Sequence, residues 1–258
     1  MNSHASLCRL GGSGPDVVLI HGYGADRLTW LTTTPALLNR ASVWLLDLPA
    51  HGKNQQDCGD GSLSSMVDLV KSSLHDAGLQ QAHLVGHSLG ARIAMEIASQ
   101  MPEQVQSLFL ISPAGVGGSI NMEFLSNFHS AEDEHSIIEL LQTLVHDPRM
   151  ISRSLGGRVL AYLERSGTRS NLQRIAAGLL SAQDDVQSTL IRLSETDIPC
   201  AGIWGKEDRI NPPDEAFTTQ LPGELHLLEG CGHLPHLEHS TTVNRVLRDF
   251  HGKLPTQD

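Results

Sequence analysis

Hydrophobic positions along the chain form short uninterrupted runs, separated by segments in which apolar residues recur every three or four positions. The runs are rich in valine, isoleucine and leucine and end at glycine, proline or a polar residue, as strands buried on both faces do. They cover residues 17–20, 43–46, 83–85, 108–111, 200–204 and 225–228. Their alternation with helical spacing predicts an α/β protein with a mostly parallel, doubly wound sheet.

The helical spacing divides into two kinds of region. Segments 63–74, 91–100 and 243–250 each have one apolar face and lie beside predicted strands. The stretch 113–197 instead has helical spacing at 137–145, 159–163 and 172–180 and no convincing strand. We therefore expect residues 1–112 and 198–258 to form an α/β core and residues 113–197 to form an inserted helical cap.

Composition and net charge limit the classes of molecule that the protein is expected to bind. With 40% hydrophobic and 18% charged residues in 258, the chain is an ordinary globular protein. Its net charge of -11 disfavours nucleic acid and anionic membranes, which carry the same sign. There is no signal peptide pattern and no run of about 18 apolar residues. The four cysteines form no C-x-x-C pair, so we expect free thiols and a cytoplasmic protein that acts on a small molecule.

A candidate nucleophile stands where one predicted strand meets a predicted helix. The strand at 83–85 runs into the sequence GHSLG, centred on Ser88, and the helix follows at once. In this G-x-S-x-G pattern the small flanking residues let a strained turn pass close to its neighbours and leave the serine Oγ open. The helix N-terminus also favours developing negative charge. A chance occurrence among 24 glycines is the alternative.

Acyl transfer at a serine also needs N–H donors for the oxyanion, each contributing on the order of 3 kcal/mol in the transition state. One candidate is the backbone N–H of Leu89, directly after the serine. The other is the N–H of Tyr23, in the HGYG turn that follows the first predicted strand. A simple strand-ending turn is the alternative for the second.

The base must be chosen by position, because the chain has 14 histidines. His233 follows the last predicted strand on a glycine-rich loop, at the edge of the sheet where Ser88 also lies. The orienting acid is expected between them in chain order, after another strand. Glu207 and Asp208 both meet that condition, and charge and spacing do not separate them. Asp47 ends a strand but precedes the serine, so we expect a turn role for it.

A metal site is the main rival interpretation of these histidines. His233, His236 and His239 have H-x-x-H-x-x-H spacing. Pro235 interrupts the helix that would align them, and no aspartate or cysteine stands at ligand spacing. We therefore predict neither metal nor cofactor. We expect His236 and His239 at a helix start or on the surface, and His87 as a packing residue.

Five blocks follow the order of signature motifs in the α/β-hydrolase family: HGYG, LDLPAHG, LVGHSLGAR, WGKEDRINP and GCGHLPHLEH. The chain resembles this family throughout. The resemblance implies Ser88 as nucleophile, Asp208 as acid and His233 as base, with the N–H groups of Tyr23 and Leu89 as the oxyanion hole. There are two departures from the pattern: AHG stands where relatives usually have GHG, and Arg92 stands where a small residue is common. We expect Arg92 to be a solvated helix residue.

A narrower resemblance is to the hydrolase-like C-terminal domain of the acetoin dehydrogenase complex acetyltransferase component. It is carried by LISPAGVGGSIN and LLQTLVHDPRMI. In that family a lipoyl domain precedes this portion, whereas this chain begins almost directly at the first predicted strand. The expectation is therefore a stand-alone hydrolase.

The predicted function is hydrolysis of a carboxylic ester or thioester through an acyl-enzyme on Ser88. The alternatives are acyl transfer to a thiol, cleavage of a carbon–carbon bond beside a ketone, and a non-catalytic binding module on the same fold. Six arginines of the expected cap could bind a carboxylate or phosphate of the substrate, or could form a solvated helix face. They are Arg149, Arg153, Arg158, Arg165, Arg169 and Arg174, against the single acid Glu164.

Overall fold

The computed structural model of the protein describes residues 6–54, 57–117, 120–181 and 186–254. Its strands are β1 (Ser6–Gly11), β2 (Asp16–Ile20), β3 (Ser42–Asp47), β4 (Ala82–His87), β5 (Val105–Ile111), β6 (Cys200–Gly205) and β7 (Glu224–Leu228). They form one seven-stranded sheet in the order β1-β3-β2-β4-β5-β6-β7. Only the β1–β3 pair is antiparallel. The predicted mostly parallel α/β sheet is confirmed.

Helices cover both faces of the sheet. Alternate residues of β2 point to opposite faces. Val17 belongs to a buried cluster that includes residues of α10 (Ser240–Gly252). Val18 belongs to a second cluster with residues of α1 (Leu63–Asp76) and α2 (Leu89–Gln100). Burial on both faces explains the continuous apolar runs of the central strands β2, β4, β5 and β6.

The hydrophobic pattern does not predict β1. This strand lies at the edge of the sheet and has a neighbour on one side only. Cys8 is exposed and Leu10 is 44% exposed. Its sequence, SLCRLG, places polar residues among the apolar ones, so it lacks the apolar run that marks the other six strands.

Five helices lie between β5 and β6: α3 (Met122–Phe128), α4 (Glu134–Gln142), α5 (Arg153–Leu163), α6 (Thr168–Ser181) and α7 (Val186–Ser194). The described residues of this stretch contain no strand. We call residues 112–199 the helical insertion. Three of its helices coincide with the predicted segments, although α4 ends three residues early. The insertion has its own apolar cluster, which includes Phe128, Ile137 and Leu172 and which Tyr23 of the core contacts.

Two short helices, α8 (Glu215–Thr218) and α9 (Pro235–Glu238), and four 3-10 helices complete the described elements. The 3-10 helices cover Arg27–Thr32, Thr34–Ala36, Pro102–Gln104 and Pro148–Met150. No helix within the described ranges combines the length and apolar character that a membrane crossing requires. Because β4, β6 and β7 run parallel, their carboxyl ends share one edge of the sheet. The loops that follow these three strands carry Ser88, Asp208 and His233.

Candidate active site

Ser88 occupies a strained turn between β4 and α2. Its backbone has φ 51° and ψ -115°, a conformation that residues with a side chain rarely adopt and that surrounding contacts must maintain. A Cβ on Gly86 would lie 2.5 Å from Cα of Ala91, and one on Gly90 would lie 2.2 Å from the carbonyl oxygen of Ile20. Both glycines of the G-x-S-x-G pattern are therefore required by close backbone packing.

His233 and Asp208 meet at the carboxyl edge of the sheet. Nδ1 of the histidine lies 2.7 Å from Oδ2 of the aspartate, and the side chains are 4% and 0% exposed. The other carboxylate oxygen, Oδ1, accepts hydrogen bonds from the N–H groups of Ile210 at 2.8 Å and Asn211 at 2.9 Å. A neutral imidazole that donates from Nδ1 keeps Nε2 as an acceptor, the atom that a general base needs.

Glu207, the other acid that the residue pattern allowed, has a different partner. Its Oε2 accepts a hydrogen bond from the N–H of Cys231 at 3.0 Å. The structure therefore brings Asp208, and not Glu207, to His233.

The loop that carries His233 is held by Glu238 and by the helical insertion. The N–H of His233 donates to the carbonyl of Leu144 at 2.8 Å. The carboxylate of Glu238 accepts from the N–H of Gly232 at 3.0 Å and from that of His146 at 2.6 Å. One carboxylate thus joins the histidine loop to the insertion. The residue pattern alone does not identify Glu238; its one signal is its place in the GCGHLPHLEH block.

The predicted oxyanion donors belong to residues that line the same cavity as Ser88 and His233. Leu89 is the first residue of α2, where N–H groups have no partner within the helix. Tyr23 follows Gly22, and a Cβ on that glycine would lie 3.1 Å from Cβ of Ser88. The HGYG turn therefore passes directly beside the serine.

Two further histidines pack beside His233. The ring centroid of His87 lies 4.9 Å from that of His233 and 4.6 Å from that of His236. Burial lowers the pKa of His236 to about 3 and the pKa of His87 well below its ordinary value. Nε2 of His87 donates to the carbonyl of His233 at 2.9 Å, which is the packing role predicted for it. His236 stands at the start of α9, as expected, but it is fully buried.

The three histidines with H-x-x-H-x-x-H spacing face different partners. His233 contacts Asp208, whereas Nε2 of His236 lies 2.9 Å from Oγ1 of Thr29. Nε2 of His239 donates to the carbonyl of Gly230 at 2.9 Å. Within the described part of the chain, no group of three or more histidine, cysteine, aspartate or glutamate side chains is placed to hold a metal ion.

Asp47 has the turn role predicted for it. Its Oδ1 accepts from the N–H of Arg27 at 2.8 Å and its Oδ2 from the N–H of Lys53 at 3.2 Å. Ala50, in the same turn, has φ 65°, a conformation that favours glycine. This explains why GHG is usual where this chain has AHG.

A cavity of about 300 Å³ lies beside Ser88. Its lining is mostly apolar and comes from both the core and the helical insertion. The insertion contributes Ile120, Phe124, Leu125, Phe128, Leu141, Leu144, Leu155, Val159 and Leu179, and the core contributes Leu63, Leu89, Ile210, Leu234 and Leu237. A concave apolar site with a few polar groups is typical of small-molecule binding.

The six arginines singled out in the sequence do not line this cavity, although the structure describes all of them. Arg149 pairs with Asp147, Arg153 with Glu134 and Arg174 with Asp57, while Arg165 and Arg169 donate to backbone carbonyls. Of the two interpretations that the sequence left open for these arginines, contact with substrate is therefore not supported. The expectation that Arg92 is solvated is wrong: it is 5% exposed, lines the cavity and pairs with Glu96 at 2.9 Å.

Comparison with known proteins supports the same fold. A family model described as the alpha/beta hydrolase family matches residues 17–246. The dihydrolipoyllysine-residue acetyltransferase component of the acetoin cleaving system from Cupriavidus necator is 28% identical over 95% of this chain, which spans 65% of that relative's length.

Two other known proteins align with this chain over almost the full length of both sequences. A 2-hydroxy-6-oxononadienedioate/2-hydroxy-6-oxononatrienedioate hydrolase from Paraburkholderia phymatum is 30% identical over 94% of this chain and 89% of the relative. A solved structure of a meta-cleavage product hydrolase from Pseudomonas fluorescens IP01 has a TM-score of 0.83 at 19% identity, covering 97% of this chain and 95% of that one.

Proposed function

The chain belongs to the alpha/beta hydrolase family, and from this premise we propose that it hydrolyses a carboxylic ester or thioester through an acyl-enzyme on Ser88. The observation that carries the proposal is the 2.7 Å contact between His233 and Asp208, beside the cavity that the serine lines. A serine, an oriented imidazole and a buried carboxylate are the groups that this chemistry requires.

In the proposed reaction, Oγ of Ser88 attacks the carbonyl carbon while Nε2 of His233 takes the hydroxyl proton. The oxyanion that forms accepts hydrogen bonds from the N–H groups of Tyr23 and Leu89. The intermediate then collapses, and His233 returns the proton to the departing alcohol or thiol. Water attacks the acyl-enzyme with His233 again as base, which releases the acid and restores the serine. Asp208 holds the imidazole in the required tautomer and stabilises its protonated form.

We also propose that residues 113–197 act as a cap over the site. The apolar lining contributed by α3, α4, α5 and α6 supports this, since these side chains face Ser88 across the cavity. Excluding water from the cavity would strengthen the hydrogen bonds to the oxyanion.

A second reaction, cleavage of a carbon–carbon bond beside a ketone, is supported by the relative from Paraburkholderia phymatum, which is named as a hydrolase of 6-oxo dioates. The 6-oxo group is a ketone, and the same serine would add to it. Acyl transfer to a thiol, which the relative from Cupriavidus necator suggests, differs only in the acceptor that attacks the acyl-enzyme.

The proposal is tested with p-nitrophenyl hexanoate and a fluorophosphonate probe. The wild type should release p-nitrophenol and be labelled at Ser88, and Ser88→Ala should do neither. Ser112→Ala is the matched control, because Ser112 is also buried and also has a positive φ, of 46°, but does not line the cavity. Wild-type turnover by Ser88→Ala would refute the assignment.

Product analysis separates the three reactions. Hexanoate as the product, with or without added thiol, indicates hydrolysis, whereas a hexanoyl thioester indicates transfer. A 2-hydroxy-6-oxo-dienoate added to the panel reports carbon–carbon cleavage.

A further inference from the structure

A single arginine lies in the wall of the mostly apolar cavity. Among the lining residues that the structure describes, Arg92 is the one lysine, arginine, aspartate or glutamate. It lies on α2 one turn after Ser88, and its backbone N–H donates to the carbonyl of Ser88 at 3.0 Å. Its guanidinium contacts Glu96, one turn further along α2, and lies beside Gly115, which also lines the cavity.

The guanidinium is buried with part of its hydrogen-bonding capacity unused. Arg92 is 5% exposed, and its Nη2 donates to Oε1 of Glu96 at 2.9 Å. Its Nε is buried and has no hydrogen-bond partner. Its Nη1 faces Gly115, another cavity residue, where an added Cβ would lie 3.3 Å from it. Buried donors without acceptors are costly and rare, so an absent acceptor is the simplest reason for this one.

The charge around Arg92 is also incompletely balanced. Glu96 is shared, because Nη2 of Arg192 lies 3.3 Å from its Oε2, and Thr189 donates to its Oε1. Two arginines therefore face one carboxylate. Within the described residues Glu96 is thus not reserved for Arg92, and an anion bound beside this buried guanidinium would be poorly screened by water.

We propose that Arg92 binds a carboxylate carried by the acyl group of the substrate. The preferred substrates are then esters or thioesters of dicarboxylic acids with one acid group free. A guanidinium matches a carboxylate through paired N–H donors, and the apolar walls accommodate the carbon chain between the two ends. This inference rests on the proposed function and names the substrate class of the same site.

The test compares mono-p-nitrophenyl adipate with p-nitrophenyl hexanoate, which have equally long acyl chains and differ in the terminal carboxylate. The wild type should have a kcat/KM about tenfold or more higher for the adipate monoester, as expected for a charged hydrogen bond. Arg92→Met should abolish or reverse that ratio, and Arg92→Lys should reduce it. Arg153→Met is the matched control: Arg153 lies in the helical insertion and also pairs with a glutamate, Glu134, but its side chain is 94% exposed and does not line the cavity, so the ratio should be kept.

A ratio measured on one preparation does not depend on the folded fraction, so poor folding of the Arg92 variants does not affect it. Equilibrium binding provides an arm that needs no turnover: adipate should bind the wild type more tightly than hexanoate does, and Arg92→Met should remove the difference. If the wild type cleaves the hexanoate ester through Ser88 but shows no preference for adipate in either arm, this inference is overturned and the proposed function stands. If neither ester is cleaved, ester hydrolysis fails, and the binding arm decides the role of Arg92.

Discussion

The indole Nε1 of Trp204 donates at 3.0 Å to Oδ2 of Asp208, the same oxygen that lies against His233. Trp204 is fully buried in β6, and the aspartate follows four residues later. The orientation of this carboxylate therefore depends on a side chain anchored in the sheet as well as on the two backbone donors of its own loop.

Replacing Trp204 with phenylalanine should lower kcat and change KM little. The variant keeps an aromatic ring in the core but removes the donor that fixes the carboxylate, and a hydrogen bond to a charged group contributes about 1.5–3 kcal/mol. We expect a kcat about tenfold or more lower in steady-state kinetics, with active enzyme counted by fluorophosphonate labelling.

Trp44→Phe is the control for that experiment. Trp44 also donates to an aspartate, Asp16 at 2.7 Å, but it lies in β3 and does not line the cavity. Equal losses of kcat in the two variants would mean that the Trp204 effect is one of stability alone.

Asp208→Asn should reduce kcat by about 10⁴-fold with KM nearly unchanged, because an amide no longer selects the imidazole tautomer that exposes Nε2 as a base. Glu207→Gln is the neighbouring control, since Glu207 contacts the backbone of Cys231 and not the histidine. A comparable loss in both variants would remove Asp208 from its proposed role.

The sequence predicts the elements of the site better than their connections. Ser88 and His233 are predicted because each follows a strand whose apolar run is visible in the sequence. The same condition leaves Glu207 and Asp208 as alternatives, and only the resemblance to the family selects Asp208. Arg92 was expected on a solvated face, since a charged side chain on a helix is usually exposed; its partner Glu96 and the helix α7 that covers it become evident only from tertiary packing. The same holds for Glu238, because one of its hydrogen-bond partners, His146, is 92 residues away in the sequence.

Glu238→Gln should destabilise the protein and lower kcat. The amide nitrogen cannot accept from a backbone N–H, so at least one of these half-buried or exposed donors loses its partner, and a hydrogen bond to a charged group contributes about 1.5–3 kcal/mol. Urea unfolding should detect the change in stability and steady-state kinetics the change in kcat. Glu229→Gln removes a surface pair with Lys206, where Glu229 is 81% exposed, and should alter neither quantity much.

The free energy of unfolding should fall as the pH drops below about 6.5. Burial, and then the neighbouring His21, lower the pKa of His51 from 6.5 to about 3. The unfolded chain therefore takes up a proton between these pH values that the folded protein refuses, which costs up to about 1.4 kcal/mol per pH unit for this group. Above pH 6.5 the contribution is constant.

Urea unfolding at pH 7.5 and 5.0 measures this dependence. His51→Phe should reduce the difference in the free energy of unfolding between the two pH values. The reduction is at most that caused by the uptake of one proton, because phenylalanine does not titrate. His135→Phe should leave the difference as it is in the wild type, since His135 is 83% exposed. An unchanged pH dependence in His51→Phe would contradict the explanation.

The hydrogen bonds that join the loop of His233 to the turn at Leu144 and His146 connect the proposed base directly to the wall of the cavity. Leu144 lines the cavity, so any movement that widens the cavity at this turn would stretch the bonds to His233 and Glu238. A substrate that enters at this turn would do so while His233 is displaced, and His233 could accept a proton only after the turn has closed again. A molecule that enters but fails to let the turn settle back would leave unreacted, so the same few hydrogen bonds would give the enzyme a means of rejecting ill-fitting compounds before any bond is broken.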